Sequence, residues 1–422
     1  MAKKVVLGAV ADDFTGATDL AALMARSGLS VSLRIGVPEP GTEAVADCEV
    51  VALKIRTEPV AEAVSAANDA LIWLQAIGVE TFFWKYCSTF DSTSEGNIGP
   101  VSEAMMAQLG TDQTIYCPSF PENGRTVFHG HLFVGNELLS DSPMKNHPLT
   151  PMNDSNLVRL LQPQTTKPVG LVEKSVVSEG VKAVQFKLNQ LKIEGVNHVV
   201  VDAIDEDDLK VVGAAAAGLK LITGGSAIAL PLVETLSGKT RGQAEVKHGT
   251  TVDNRALILS GSCSAMTRRQ VSVFAENGAA YQLDPMALAK DGHALEAAKG
   301  WLKMQALEEP KLIYATADPE EVKLAQAEIG REKAGEIVEH ALAALAQWAR
   351  ELGHRRFVVA GGESSGAVTQ ALGVSQLTIG PEIAAGVPWT FANSDGHDIA
   401  LALKSGNFGS ESFFQDALDQ LA

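Results

Sequence analysis

Apolar residues fall in short blocks along this chain, and the blocks alternate between two spacings. The run at 5–11 is compact and continuous, as in a strand buried on both faces, and 17–27 continues with apolar positions at helical spacing. Strand-like runs recur at 50–55, 81–86, 114–117 and 198–201, with helical patterns at 61–77 and 98–109 between them. Strands that alternate with helices in this way predict a parallel sheet covered on both faces. A polar stretch at 118–156, holding several prolines, breaks the rhythm and reads as an irregular segment of a length that is more often functional than idle.

The rhythm stops again in the polar segment 237–254 and then restarts. A strand at 256–259, a helix at 265–277, a strand at 311–315, a long helix at 333–353 ended by Gly353 and a strand at 357–360 follow. The pattern predicts an α/β protein of two domains, 1–240 and 250–422, each with a mainly parallel sheet flanked by helices. No internal repeat of fixed period and no low-complexity tract is present.

At about 150 residues per domain, 422 residues accommodate two or three such units. A hydrophobic fraction of 46% against 20% charged residues excludes wholesale disorder. Lys and Arg number 34 and Asp and Glu 51, a net charge of −17 that disfavours nucleic acid and anionic membranes as partners. An anionic ligand must then be met by a local cluster of cations or backbone N–H groups. Cys48, Cys87, Cys117 and Cys263 lie far apart with no CxxC pair, which argues against a zinc knuckle or a disulfide framework and fits a reducing compartment. The opening Met-Ala-Lys-Lys and the apolar run behind it imitate a signal peptide. That run, however, ends in Asp12-Asp13 without a processing site, and no stretch approaches the roughly 20 apolar residues of a membrane helix. The expected location is the cytoplasm.

Four segments carry candidate chemistry. Ala11 to Asp19 (ADDFTGATD) follows the first strand, at the edge where ligands bind in open α/β sheets. Asp13 or Thr15 alone would serve as a helix cap, but a cap accounts for one acidic residue and not for Asp12, Asp13 and Asp19 together. Lys85 to Thr93 (KYCSTFDST), then Gly96-Asn97, also follows a strand and offers a cation, a carboxylate and several hydroxyls; the plainer reading is a Ser/Thr-rich turn with a cap near Asn97. The stretch 118–131 holds Arg125, whose forked guanidinium suits a carboxylate, and His129 and His131, which lack partners at metal-ligand spacing and read as turn histidines. In the second domain, Ser260-Gly261-Ser262-Cys263-Ser264 and Gly361-Gly362-Glu363-Ser364-Ser365-Gly366 each lie between a strand and a helix. Lys404-Ser405-Gly406-Asn407-Phe408-Gly409 adds a third small-residue loop. Such loops present N–H groups to phosphate, or else merely pack closely; neither a Walker A sequence nor GxGxxG is present.

Together these motifs resemble the four-carbon acid sugar kinase family. The ADDFTGA opening, Lys85 with Asp91-Ser92-Thr93 and Gly96-Asn97, the GGxxxG loop at Gly361–Gly366 and the KxGxFG segment at Lys404–Gly409 occur in the family's order over essentially the whole chain. Many relatives carry Arg just before the Gly-Asn pair, where this chain has Glu95. That departure, the Ser88-Thr89-Phe90-Asp91 wording and the 118–151 stretch look like the subgroup acting on 3-oxo-tetronates rather than on threonate or erythronate.

The resemblance implies phosphorylation of the terminal 4-hydroxyl of a 3-oxo-tetronate by ATP with Mg2+, with the active site in the cleft between an N-terminal acid-sugar domain and a C-terminal nucleotide domain that close about a hinge. It implies Asp12, Asp13 and Asp91 as catalytic residues, and Thr15, Arg56, Lys85, Ser92, Thr93, Asn97 and Arg125 as substrate-binding residues. Nucleotide contacts are implied for Ser260, Ser262, Gly361, Gly362, Glu363, Ser364, Gly366, Lys404 and Gly406. Metal ligands, the identity of the general base and association into a homo-oligomer stay open. The partner expected is a small acid sugar, with no nucleic acid and no membrane. Threonate or erythronate 4-kinase is the neighbouring alternative. A non-catalytic two-domain binding protein is the alternative of a different class, and a sugar-acid dehydrogenase is disfavoured by the missing dinucleotide fingerprint.

Overall fold

The computed structural model describes residues 4–146, 150–239, 252–290 and 292–421. The chain divides into two compact units, Met1–Glu245 and Val246–Ala422. The polar segment expected to separate them lies largely at 240–251, outside the described residues.

The N-terminal unit contains β1 (Leu7–Ala11), β2 (Val31–Ile35), β3 (Cys48–Ala52), β4 (Phe82–Lys85), β5 (Thr114–Cys117), β6 (Arg125–Phe128), β7 (His131–Val134), β8 (Glu137–Leu138), β9 (Val169–Val172), β10 (His198–Val201) and β11 (Leu221–Gly224). Eight of these form a parallel sheet in the order β2-β3-β1-β4-β11-β5-β10-β9. Its strands are almost continuously apolar because both faces are covered, and β1, β3, β4, β5 and β10 are buried along their whole length. The helix Phe14–Ala25 packs with the helix Ala229–Ser237, while Val60–Ala76 packs with Ile98–Leu109. This second pair encloses a core with Leu71, Trp84, Tyr86 and Met105.

After β1 the chain turns toward β2, and after β4 it turns the other way toward β5, so the crevice between their carboxyl ends is a topological switch point, where open α/β sheets take their ligands. The 118–156 stretch is more ordered than its polarity predicts. Its residues 125–138 fold as a small antiparallel sheet, β6-β7-β8, because Gly124, Gly130 and Gly135 supply the positive φ its turns need.

The C-terminal unit contains β12 (Ala256–Ser260), β13 (Ala279–Gln282), β14 (Lys311–Tyr314), β15 (Arg356–Ala360), β16 (Gln376–Ala384), β17 (Val387–Ser394) and β18 (His397–Lys404). Strands β13-β14-β12-β15-β18 are parallel, and β17 and β16 continue from β18 as an antiparallel meander. Its core gathers Ile258, Val358, Trp389, Ala402, Phe413 and Phe414. The long helix runs Arg331–Leu352 and ends at Gly353, whose φ of 104° makes a left-handed cap. No helix among the described residues is long and apolar enough to cross a membrane.

Candidate functional site

In the N-terminal unit the switch point holds a compact ionic cluster. Ala11 pairs with Lys85 in register, and the Asp12 N–H donates to the Lys85 carbonyl at 3.0 Å, so the two motifs meet at one edge. The loop after β3 lies alongside, with the Ile55 N–H donating to the Asp12 carbonyl at 3.0 Å. That contact brings Arg56 across the crevice. Its guanidinium grips Asp12 through Nε (2.7 Å) and Nη2 (2.9 Å), reaches Asp13 Oδ1 at 2.8 Å and faces Asp91 Oδ2 at 3.6 Å. One forked cation thus organises three carboxylates.

Asp13 also opens the helix Phe14–Ala25. Its carboxylate accepts from the Gly16 N–H at 3.0 Å and from the Thr15 hydroxyl at 2.9 Å. Asp13 therefore caps its helix and pairs with Arg56 at once. A side chain at Gly16 would put its Cβ 2.3 Å from Asp13 Oδ1 and 2.7 Å from Lys85 Nζ. Lys85 is buried and donates to the Tyr86 carbonyl at 2.7 Å. Burial pushes the Asp12 carboxyl above its usual range despite Arg56. Burial acts on Asp13 as well, but the Arg56 and Lys85 cations and the Thr15 and Gly16 hydrogen bonds together hold it below the usual range. Asp19 lies deeper in the same helix and accepts from the Ser226 hydroxyl.

The 87–91 turn is strained. Phe90 and Asp91 adopt φ of 65° and 32°, a conformation bulky residues rarely hold, and Phe90 is locked by burial and an edge contact to Tyr86. The turn aims Asp91 at Arg56, with Asp91 Oδ1 accepting from Thr89 at 2.6 Å. Burial pushes the Cys87 thiol up to about 12, reinforced by the Asp91 charge, so this cysteine is no thiolate nucleophile at neutral pH.

Other expected substrate residues sit differently. Asn97 gives its amide to the carbonyls of Ile55, Glu58 and Arg56, and does not cap its helix by its side chain. Ser92 accepts from Gln164 at 2.9 Å, and the Thr93 hydroxyl accepts from the Glu95 N–H at 3.3 Å. Arg125 donates to the Asn123 carbonyl in its own turn. The neighbouring Glu122 is tied to Arg26, just past the end of the helix that Asp13 opens. Among the described residues no hydrogen bond or ion pair joins Arg125 to the Asp12–Arg56 cluster. His129 takes a φ of 49°, and its N–H, with those of Gly130 and Lys174, donates to the buried Asp202 carboxylate at 2.7–2.9 Å. His131 faces the Asn156 amide at 3.2 Å.

In the C-terminal unit the three small-residue loops converge because β12, β15 and β18 are neighbours, with Ser260, Ala360 and Lys404 in register. The N–H groups of Gly261 and Ser262 donate to the Ala360 carbonyl, and that of Gly361 to the Lys404 carbonyl. Added Cβ atoms would lie 2.2 Å from Ser364 Oγ at Gly261 and 2.6 Å from Ser262 Oγ at Gly406, so both glycines serve close packing of the loops. Gly361 has φ of 123°, and Gly366 faces open space. The helices Ala265–Ala275 and Gly362–Ala371 begin at this edge, the second with exposed Glu363 in its first turn. The Ser260 hydroxyl is buried against Thr316 at 2.7 Å. Lys404 is fully buried, donating to Thr267 Oγ1 at 3.1 Å and to the Gly406 carbonyl at 3.0 Å; burial pushes its amine down to about 7.

Sequence reasoning missed three contributors. Thr267 lies in a Ser-x-x-Thr start that could have been read as a cap. Gly224-Gly225-Ser226, between β11 and the helix Ala229–Ser237, repeats the strand–small loop–helix pattern beside Lys85. Gln164 lies in a short turn with no motif of its own.

Residues 7–232 match the Sugar-binding N-terminal domain family, and 257–414 the Nucleotide-binding C-terminal domain family. The 3-oxo-tetronate kinases of Burkholderia multivorans and Cupriavidus necator are each 49% identical to this chain, with 100% of this chain and 98% of theirs covered. A crystal structure from Salmonella typhimurium LT2, described provisionally as a tRNA synthase, is 40% identical with a TM-score of 0.87 over 97% of this chain and 98% of its own. A Haemophilus influenzae structure is 41% identical with a TM-score of 0.80 over 98% of this chain and 100% of its own. Full-length identity at this level means that the chain belongs to the four-carbon acid sugar kinase family, among the 3-oxo-tetronate kinases.

Proposed function

We propose that this chain transfers the γ-phosphoryl group of ATP to the 4-hydroxyl of a 3-oxo-tetronate. The observation that carries the reading is the collinear 49% identity to 3-oxo-tetronate kinases over the whole chain. The geometry supports it. A small polyhydroxy acid needs a cation for its carboxylate and acceptors for its hydroxyls, and the Asp12–Arg56–Lys85–Asp91 cluster offers both at a switch point.

In this reading Asp13 anchors the helix and fixes Arg56. Asp91 holds one oxygen on Thr89 and the other only at 3.6 Å from Arg56, which leaves it the most room to accept the hydroxyl proton. The N-termini of the helices Ala265–Ala275 and Gly362–Ala371, both at the edge formed by the Ser262, Gly361–Gly366 and Gly406 loops, fit a polyphosphate. ATP supplies the transferred group, and Mg2+ neutralises phosphate charge. No group of three or more His, Cys, Asp or Glu suited to a metal occurs among the described residues. A net charge of −17 disfavours nucleic acid as a partner and leaves the small anions of this reaction to be held by local cations and N–H groups.

A coupled assay of ADP release tests the reading over 3-oxo-tetronates, threonate, erythronate and the neutral tetrose. Turnover should be highest with a 3-oxo-tetronate. Equal turnover of the neutral sugar would remove the acid-sugar assignment, and preference for threonate or erythronate would move the chain to the neighbouring activity.

A further inference from the structure

Arg56 stands in an irregular bend between β3 and the helix Val60–Ala76, with no ladder of its own to hold it. Its main chain is held instead from another part of the unit. Asn97 Nδ2 donates to the Ile55 carbonyl at 2.7 Å and the Glu58 carbonyl at 2.9 Å, with the Arg56 carbonyl at 3.4 Å. Both amide hydrogens are thereby used, and Asn97 is 6% exposed, so neither is left for a ligand.

The loop that presents Asn97 is clamped in turn by Gln164. Its Nε2 donates to Ser92 Oγ at 2.9 Å and to the Thr93 carbonyl at 2.6 Å, while its Oε1 accepts from the Gly99 N–H at 3.0 Å. One carboxamide therefore ties the two limbs of the 92–99 loop together. Gly99 lies so close that an added Cβ would sit 2.5 Å from the Gln164 carbonyl oxygen.

We propose that Asn97 is a positioning residue for Arg56 and that Gln164 holds the loop presenting it, so that two buried amides out of contact with the acid sugar set the guanidinium among Asp12, Asp13 and Asp91. The proposal rests on the acid-sugar reading for its catalytic consequence and on the hydrogen-bond chain for its geometry. A cation shared by three carboxylates tolerates little displacement, because a shift toward one lengthens its contact with the others. Misplacement of about 1 Å in a positioning group costs on the order of 10²-fold in rate. The charged and titratable groups facing Asp13 are Arg56, Lys85 and Asp12, with Asp91 and Cys87 on the opposite side of the guanidinium.

The test compares Asn97→Ser, Asn97→Ala and Gln164→Met with the parent enzyme. Activity is read on whichever four-carbon acid the parent phosphorylates, and the Asp carboxyl titration by 13C NMR is followed without turnover. The expected result is a kcat lowered by about 10²-fold in Asn97→Ala and less in the others. The nucleotide KM should stay within about twofold, and the Asp13 titration should move upward as its cation withdraws. Gln164→Glu keeps the acceptor for the Gly99 N–H but sets a carboxylate against the Thr93 carbonyl oxygen, and should lose at least as much as Gln164→Met. A lower melting temperature with kcat and the Asp13 titration unchanged overturns the proposal, leaving a simple brace. A raised KM for the acid alone, with the same two readouts unchanged, overturns it in favour of direct contact. If the Asn97 variants do not fold, Gln164→Met carries the same two readouts. If the parent phosphorylates no four-carbon acid, the functional reading falls, and the NMR titration still decides the positioning role.

Discussion

Asp12 and Asp13 are adjacent in the chain and held by the same guanidinium, yet their proton affinities shift in opposite directions. Asp12 is the more deeply buried, so desolvation outweighs Arg56 and Lys85; Asp13 feels the same two cations and adds hydrogen bonds from the Gly16 N–H and the Thr15 hydroxyl. Arg56→Lys keeps one positive charge but loses the fork that spans three carboxylates. We expect kcat/KM for the acid sugar to fall by about 10²-fold with the nucleotide KM unchanged, measured by steady-state kinetics. Lys404 offers a second test. Burial depresses its amine from 10.5 to about 7, so between those values the unfolded chain binds a proton that the folded chain does not. Stability must then rise with pH across that window, and the penalty is complete below it. Denaturant midpoints of the parent should climb from pH 6.5 to pH 9 more steeply than those of Lys404→Met; equal slopes would place the ammonium in water.

At the scale of elements, the strand–loop–helix units were readable because their determinants are local. An apolar run, a small or acidic residue and a helical period follow one another within twenty residues, and the strands at 114–117 and 198–201 were placed to the residue. The 118–156 stretch was not readable as a sheet, since its pairing depends on turns and on long-range contacts such as Val127 to Ala203. The same local geometry makes two glycines testable. Gly16→Ala would force its Cβ against Asp13 and Lys85, and should remove a cap contribution of about 1 kcal/mol together with most of the turnover, read by melting and kinetics. Gly361→Ala would take a φ of 123° that L-residues avoid and should cost roughly 1–3 kcal/mol. Nucleotide titration of the folded variant should show weakened binding; unchanged affinity would move the nucleotide away from this loop.

Across the whole molecule, the two proposed sites, one in each unit, should respond separately. Hydrogen exchange on the full chain with ADP should protect 261–264, 361–366 and 404–409, whereas a non-reactive acid sugar should protect 12–16 and 85–91. Protection in the opposite units would reverse the assignment. The sequence by itself determined the fold class, the order of the motifs and the identity of the cationic and acidic residues, because strand burial, glycine loops and helix starts are written within a few neighbouring positions. Only the tertiary structure decided what those residues do to one another. Asn97 reads as a substrate residue or a cap in one dimension and serves as a tether for the Arg56 loop in three, since its partners lie about forty residues away. Gln164 carries no local signal at all, because its role consists of contacts to a loop 65–72 positions earlier. Arg125 has the chemistry of a clamp, but its turn is tied to the helix end at Arg26. Pattern and composition are properties of neighbours along the chain, whereas a site is a property of neighbours in space, and only packing of the sheet and its helices converts the first into the second.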